Sequence, residues 1–338
     1  MFSSQRSGAA RLHNWLHAFA FGSIFVVAAL TAGGAAAAQD WPQRPVSVVV
    51  PFPAGGSSDT IARMLTQPLN EKLGQPFVVD NKPGATGAIG ATFVKRAPAD
   101  GYTMMVASIG VFAVNPFLQK NLAYDPAKDF DLLTVAVRAP NVLVAKPEFP
   151  ANTVQDLVAY MKKNPGKVSF ASSGAGSSDH LTAALFWQKS GTDGLHVPYK
   201  GGAPAISDLL AGQVDVSFQN INAVLQHVRT GKLKALAVTS DKRSAVLPNV
   251  PTMAEAGVKE VEVYSWQGVA APRGLPADVK TRLHGALVSA LNDPKMRQKL
   301  SENGFEVVAN TPEQFNQFEA QELQRWKNVI EKGRIVLD

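Results

Sequence analysis

Val46-Ser-Val-Val-Val50 runs into Pro51-Phe-Pro-Ala-Gly-Gly-Ser-Ser-Asp59, and much further along Val168-Ser-Phe-Ala171 runs into Ser172-Ser-Gly-Ala-Gly-Ser-Ser-Asp-His180. Each is a short apolar run, then a Gly/Ser loop, then an amphipathic segment. The pattern predicts strand, tight loop and helix N-terminus, twice. A helix N-terminus carries unpaired N–H groups and the positive end of the macrodipole, so it holds anions without a charged side chain. Glycines let the backbone approach closely, and serines add hydroxyl donors. Two such sites predict a small anionic ligand gripped from both sides.

Outward from these stretches, apolar runs alternate with helix-period segments. Strands are predicted at 46–50, 77–79, 102–107, 132–137, 142–145, 168–171, 195–197, 214–218, 233–238 and 261–266. Ile61, Leu65, Leu69 and Leu73 recur every four residues and mark one buried helix face, with Pro68 expected to kink or restart it. Ser58 or Asp59 is a candidate cap for that helix. Thr153 reads as an N-cap before Leu157, Val158 and Met161, and Asn164-Pro-Gly166 as the stop. Near the C-terminus an apolar stripe runs through Phe315, Phe318, Leu323, Trp326 and Ile330, stepping past Glu322. Strands separated by helices imply βαβ units and a mainly parallel sheet, an α/β fold. Between Asp131 and Ala145 two strands are parted only by residues 138–141. The Pro-punctuated stretch 146–150 and residues 264–272 are the expected crossings between domains.

The first residues have a secretory plan: Arg6 and Arg11, an apolar run from Ala18 to Leu30, then Ala36-Ala-Ala38 before Gln39. The expected organisation is a signal peptide over 1–38, a discontinuous domain 1 over 39–145 and 267–338, and domain 2 over 146–266. The chain has no cysteine, which excludes a disulfide framework, thiol chemistry and a lipidated cleavage site. Its formal charge of +6 comes from scattered lysines and arginines without interleaved aromatics, which excludes a nucleic-acid stripe.

Catalytic motifs are thin. There is no Gly-x-Ser-x-Gly elbow, no Walker A and no His-Glu-x-x-His, and Gly174-Ala-Gly176 has Asp179 where a dinucleotide fingerprint needs its third glycine. The histidines show no metal-ligand spacing, so neither metal nor cofactor is expected. Ser173 with His180 is the one Ser–His pair to weigh for a hydrolase. Tyr199-Lys-Gly-Gly202 and Gln219-Asn220 each follow a predicted strand. In open α/β sheets ligands bind beyond the carboxyl ends of strands, so all these loops can share one crevice.

The motifs resemble those of the Bug family, the extracytoplasmic solute receptors of tripartite tricarboxylate transporters. The opening Pro51-Phe-Pro-Ala-Gly-Gly-Ser-Ser-Asp59 with Ile61-Ala-Arg63 is followed in family order by Asn81-Lys-Pro-Gly84, Ala99-Asp-Gly-Tyr102, Asn115-Pro116, Tyr124-Asp-Pro126, Ser173-Gly-Ala-Gly-Ser177, His196-Val-Pro-Tyr-Lys-Gly201, Leu236-Ala-Val-Thr239, Leu247-Pro-Asn-Val-Pro251 and Glu255-Ala-Gly257. The resemblance implies a type II periplasmic binding protein, with two α/β domains and a ligand cleft between them. It implies a non-enzymatic, monomeric periplasmic receptor for a small carboxylate (a di- or tricarboxylate, an aromatic acid or an acidic amino acid), working with the transporter's membrane subunits. Carried onto this chain, the ligand contacts are Phe52, Ala54, Gly55, Gly56, Ser57 and Ser108 from one lobe, and Ser173, Gly176, Ser177, Ser178, Tyr199 and Gly201 from the other. Phe218-Gln-Asn220 falls where members vary, which makes Gln219 the candidate selector of the acid. The rival readings are a sensor that docks on a receptor kinase and a secreted hydrolase using Ser173 or Ser177.

Overall fold

Strand β1 (Val46–Val50) is buried at four of its five positions, and its chain turns through Pro51–Gly56 into helix α1 (Ser57–Leu73). Helix α1 presents Ile61, Leu65, Leu69 and Leu73 to the core, as their four-residue spacing predicts. Pro68 neither breaks nor restarts it, and the helix stops at Gly74, whose left-handed conformation suits a glycine C-cap. The computed structural model describes residues 41–336. The predicted leader and its cleavage site at Ala36-Ala-Ala38 lie outside the described residues.

The chain continues through β2 (Phe77–Asn81), α2 (Ala88–Arg96), β3 (Thr103–Ser108) and a long β4 (Phe130–Ala145). It then forms α3 (Val154–Lys163), β5 (Ser169–Ser172), α4 (Ser178–Ser190), β6 (Leu195–Pro198), α5 (Gly202–Ala211), β7 (Val216–Asn220), α6 (Ile221–Arg229) and β8 (Lys234–Val238). The last elements are β9 (Tyr264–Pro272), α7 (Ala277–Asn292), α8 (Pro294–Glu302), β10 (Glu306–Val307) and α9 (Pro312–Gly333). The N-cap predicted at Thr153 is present, and Asp156 completes it into a capping box.

The strands run in the order β2-β1-β3-β9-β4-β7-β5-β6, with β8 and β10 also pairing β4. β1 is parallel to β2 and β3, and β5 is parallel to β6 and β7, as βαβ units require. β9 runs antiparallel between β3 and β4.

The two strands expected at 132–137 and 142–145 are one strand, and the physical reason is a change of partner. Phe130 to Pro140 pairs with β9, while Asn141 to Ala145 pairs with β7, and β8 pairs β4 from Val142 onward. Pro140 sits at the exchange, where a missing N–H costs least. The expected crossing at 264–272 is likewise a strand.

Helix α9 closes the first half of the core. Trp266 packs on Phe112, Phe315 and Phe318. Glu322, which the stripe reading set aside, lies on the buried face. Its Oε2 accepts the indole N–H of both Trp266 (2.9 Å) and Trp326 (3.0 Å). A buried carboxylate is tolerable where donors converge on it.

Candidate functional site

Both Gly/Ser loops end in the same four residues, Gly-Ser-Ser-Asp, at 56–59 and 176–179. In each the aspartate reaches back to hold its own loop. Asp59 Oδ2 accepts from the Gly55 N–H (2.9 Å) and Arg63 Nε (2.9 Å), while Oδ1 accepts from Asn81 Nδ2 (3.0 Å). Asn81 also donates to the Phe52 carbonyl, so β2 ties the loop from its other end. Burial alone would raise the Asp59 carboxyl, but the bonds from Arg63, Gly55 and Asn81 outweigh it and hold it below the usual range.

Gly55 takes φ +85°, a conformation that favours glycine, and a Cβ there would meet open space. The helix cap is Gly56, in extended conformation and without a side-chain bond, so neither Ser58 nor Asp59 caps it. Phe52 and Ser57 are half-buried, while Ala54, Gly55 and Gly56 are exposed. The N–H groups of Ser57, Ser58 and Asp59 have no acceptor within the helix.

The second loop is held more tightly. Asp179 Oδ2 accepts from the Ser173 N–H (2.7 Å), the Ser173 hydroxyl (2.7 Å) and Gln219 Nε2 (3.3 Å), and Oδ1 from the His180 N–H (3.2 Å). Among the described residues no cation pairs with this buried carboxylate, and burial pushes its pKa up against those donors. Ser177 is the helix cap: its Oγ accepts from the His180 N–H (3.4 Å) and donates to the Gly174 carbonyl (2.6 Å). Ser178 is buried, and its Oγ accepts from Asn220 Nδ2 (3.3 Å).

His180 Nδ1 accepts the Gly176 N–H at 3.0 Å, so the neutral ring carries its proton on Nε2. Burial, with a smaller contribution from His196, pushes its pKa down to about 3. The His196 ring stacks on it at 3.7 Å, and His196 Nε2 meets Ser172 Oγ at 2.6 Å.

The candidate residues divide by what their donors already do. Ser173 spends both donors on Asp179, and Gly201 donates its N–H to the Ser173 carbonyl (3.0 Å). Tyr199 donates its hydroxyl to Asp208 (2.7 Å). Gln219 is 1 % exposed and points inward to Asp179 and Ser217. Ser108 ends β3, and both its Oγ and the Gly176 carbonyl lie within 4 Å of where a Gly110 Cβ would stand. The two loop systems therefore face each other. Ser57 Oγ donates toward Asn220 Oδ1 (3.0 Å) and Asn222 Oδ1 (3.2 Å), and Thr86 Oγ1 toward the Ala175 carbonyl (3.4 Å).

Two cavities among the described residues lie away from the space between these loops. One of about 650 Å³ runs along α2 beside Ile89, Phe93 and Arg96, and one of about 410 Å³ lies beside His180, Trp187 and Lys332. The Ser173–His180 pair required for hydrolysis is not formed, since the Ser173 hydroxyl serves Asp179. The Ser–His contact that is formed uses Ser172, which is 1 % exposed and out of reach of a substrate. Among the described residues no cluster of metal-binding side chains occurs, and no helix is long and apolar enough to cross a membrane. Sequence reasoning missed the two aspartates as loop anchors, although the repeated Gly-Ser-Ser-Asp was a visible signal.

A mixed α/β sheet with two facing loop–helix N-termini defines a periplasmic binding protein of two α/β domains with the cleft between them. Residues 61–335 match the tripartite tricarboxylate transporter family receptor, and the chain belongs to that family, whose members are periplasmic solute-binding receptors and not enzymes. It is 39% identical over 303 residues to protein BugT of Bordetella pertussis, covering 89% of this chain and 93% of that one. Two solved structures are similar along most of their length. Rpa4515 of R. palustris with adipate has a TM-score of 0.85 at 38% identity, covering 88% of this chain and 100% of that one. MatC of Rhodopseudomonas palustris with bound malate has a TM-score of 0.81 at 34% identity, covering 86% and 100%.

Proposed function

We propose that this chain captures a small dicarboxylate between its two Gly-Ser-Ser-Asp loops and delivers it to the membrane subunits of a tripartite tricarboxylate transporter. The observation that carries the reading is the pair of facing helix N-termini, each with its loop held by an aspartate, while the basic side chains within these motifs are engaged or turned outward. Arg63 is committed to Asp59 and Asn81, and Lys200 is exposed. Oriented N–H groups thus supply the positive potential. The adipate and malate held by two similar receptors support a dicarboxylate.

On this reading Phe52, Ala54, Gly55, Gly56, Ser57 and Ser108 line one side, with Gly176, Ser177 and Ser178 on the other. Ser173, Tyr199, Gly201 and Gln219 support the loops from behind. The partner exchange in β4 favours domain crossings at Pro140/Asn141 and Val263/Tyr264, each a few residues N-terminal of the boundary read from sequence. Residues 1–38 act as the export signal, and the mature receptor works as a monomer.

A thermal-shift panel of malate, adipate, citrate, benzoate and glutamate, each beside its amide or ester, tests the proposal. A ligand at a hundredfold excess over its dissociation constant raises stability by about 2.7 kcal/mol. At least one dicarboxylate should give such a rise, and its diamide none. Equal stabilisation by acid and diamide, or by none of the panel, overturns it.

A further inference from the structure

One asparagine joins the facing loop, the ligand-loop helix and the point where β4 changes partners. Asn220 ends β7. Its Oδ1 takes the Ser57 hydroxyl (3.0 Å), and its Nδ2 donates to Asn141 Oδ1 (2.5 Å) and Ser178 Oγ (3.3 Å). Asn141 is fully buried at the exchange in β4. Its own N–H donates to Thr239 Oγ1 (2.9 Å), its carbonyl accepts from the Thr239 N–H (2.9 Å), and the Thr239 hydroxyl donates to the Val263 carbonyl. Thr239 therefore clamps both segments that join the halves of the sheet, one at Asn141 and one at Val263.

The direction of every bond in this chain is forced. Thr182 Oγ1 donates its single hydrogen to the Ser178 carbonyl (2.6 Å), which can only accept. Thr182 must then accept from Asn141 Nδ2 (2.9 Å), which leaves Asn141 Oδ1 facing Asn220. Asn220 must present Nδ2 there, so its Oδ1 faces Ser57. Asn222 Oδ1 lies beside it at 3.2 Å from the same hydroxyl. Ser57 consequently has to donate toward domain 2, and its one hydroxyl hydrogen is not available to an anion.

We propose that Ser57 and Asn220 form a latch of fixed polarity between the two lobes, with Asn220 as the positioning residue that links the latch to the strand exchange at Asn141 and Thr239. Ser57 then serves the ligand through its N–H alone, and its hydroxyl sets how long the cleft stays shut. The latch rests on the receptor reading for its purpose, but not for its existence.

The test is stopped-flow binding of malate, or of whichever panel acid binds the wild type, combined with interlobe distances from a pair of spin labels. Ser57→Ala and Asn220→Ala are each expected to raise the dissociation rate about fivefold to twentyfold while changing the association rate less than twofold. Because they share the Ser57–Asn220 contact, the two effects should combine well below multiplicatively in the double variant, which differs from Asn220→Ala only by the remaining Ser57 contact to Asn222. Asn220→Asp keeps the acceptor for Ser57 but sets a carboxylate oxygen against Asn141 Oδ1, so it should also dissociate faster. In protein without added acid, both single alanine variants should shift label distances toward longer values. Multiplicative rate effects in the double variant, or a Ser57→Ala effect that differs between mono- and dicarboxylates, would show Ser57 touching the ligand and overturn the latch. If no acid binds the wild type, the receptor reading fails on its own. The label distances still decide the latch, and unchanged distances overturn it.

Discussion

Replacing each anchoring aspartate by alanine separates two costs that the sequence motif makes look alike. Both residues are 3 % exposed, but their partners differ. In Asp59→Ala the orphaned donors are the N–H of exposed Gly55 and the guanidinium of Arg63, and both can turn to water. Asn81 keeps its bond to the Phe52 carbonyl. What remains is the loss of an acid from the first turn of α1 and one loop bond, about 1 kcal/mol. In Asp179→Ala the N–H and hydroxyl of half-buried Ser173 and the amide of Gln219 lose an acceptor, and at 1 % exposure Gln219 has no ready access to water in its place. At ~1–3 kcal/mol for each buried unsatisfied donor, less the relief from no longer burying a carboxylate, the net loss should be about 2–4 kcal/mol. Urea unfolding of the acid-free proteins, followed by tryptophan fluorescence and extrapolated linearly, measures both. Both variants should bind acid poorly, because both loops lose their shape. Equal stability losses in the two variants would refute the burial argument, and unimpaired binding in either would refute the anchoring role.

Three other outcomes follow from single groups. Neutral His180, with its pKa near 3 in the fold against about 6.5 unfolded, contributes stability that is full above pH 6.5 and lost as pH falls, at about 1.4 kcal/mol per unit. Between pH 6.5 and 5 the wild type should therefore lose about 2 kcal/mol more than His180→Gln, measured by unfolding at each pH. Glu319 is 2 % exposed with its Oε1 unpartnered, and burial pushes its pKa up to about 7. Its cost is absent below its unfolded value and grows as pH rises toward 7, so Glu319→Gln should be more stable than wild type by ~2 kcal/mol at pH 8 and no more stable at pH 4.5. Gly55→Ala should cost about 1–2 kcal/mol from its left-handed conformation alone, whereas Gly56→Ala, at φ −79°, should cost clearly less; parallel urea titrations check the pair.

Local pattern made much of this molecule readable. The two strand–loop–helix stretches, the buried face of α1 and the cap at Thr153 all rest on residues a few positions apart, where periodicity and capping chemistry act directly. The continuous β4 was not readable, because Pro140 looks like a break until its two sets of partners are known. Sequence does not choose between Ser177 and Ser178 as the cap of α4, since either hydroxyl can reach the next turn. The choice is decided by Asn220, which occupies Ser178 from 42 residues away. Ser173, Tyr199 and Gln219 looked like ligand groups for the same reason: sequence shows which residues carry donors, and only packing shows where those donors are spent. The bond between Asn220 and Asn141 spans 79 residues and leaves no local trace.

The central claim is that backbone N–H groups at two facing helix starts hold the carboxylates. An amide NMR titration with malate, or with the dicarboxylate that the thermal panel selects, addresses it most directly. The largest downfield shifts should fall on the N–H signals of Ser57 and Ser58 in one lobe and Ser178 in the other, with Lys200→Ala leaving them in place. Shifts confined to Lys200 and its neighbours, or to the Ile89–Phe93 groove, would contradict it.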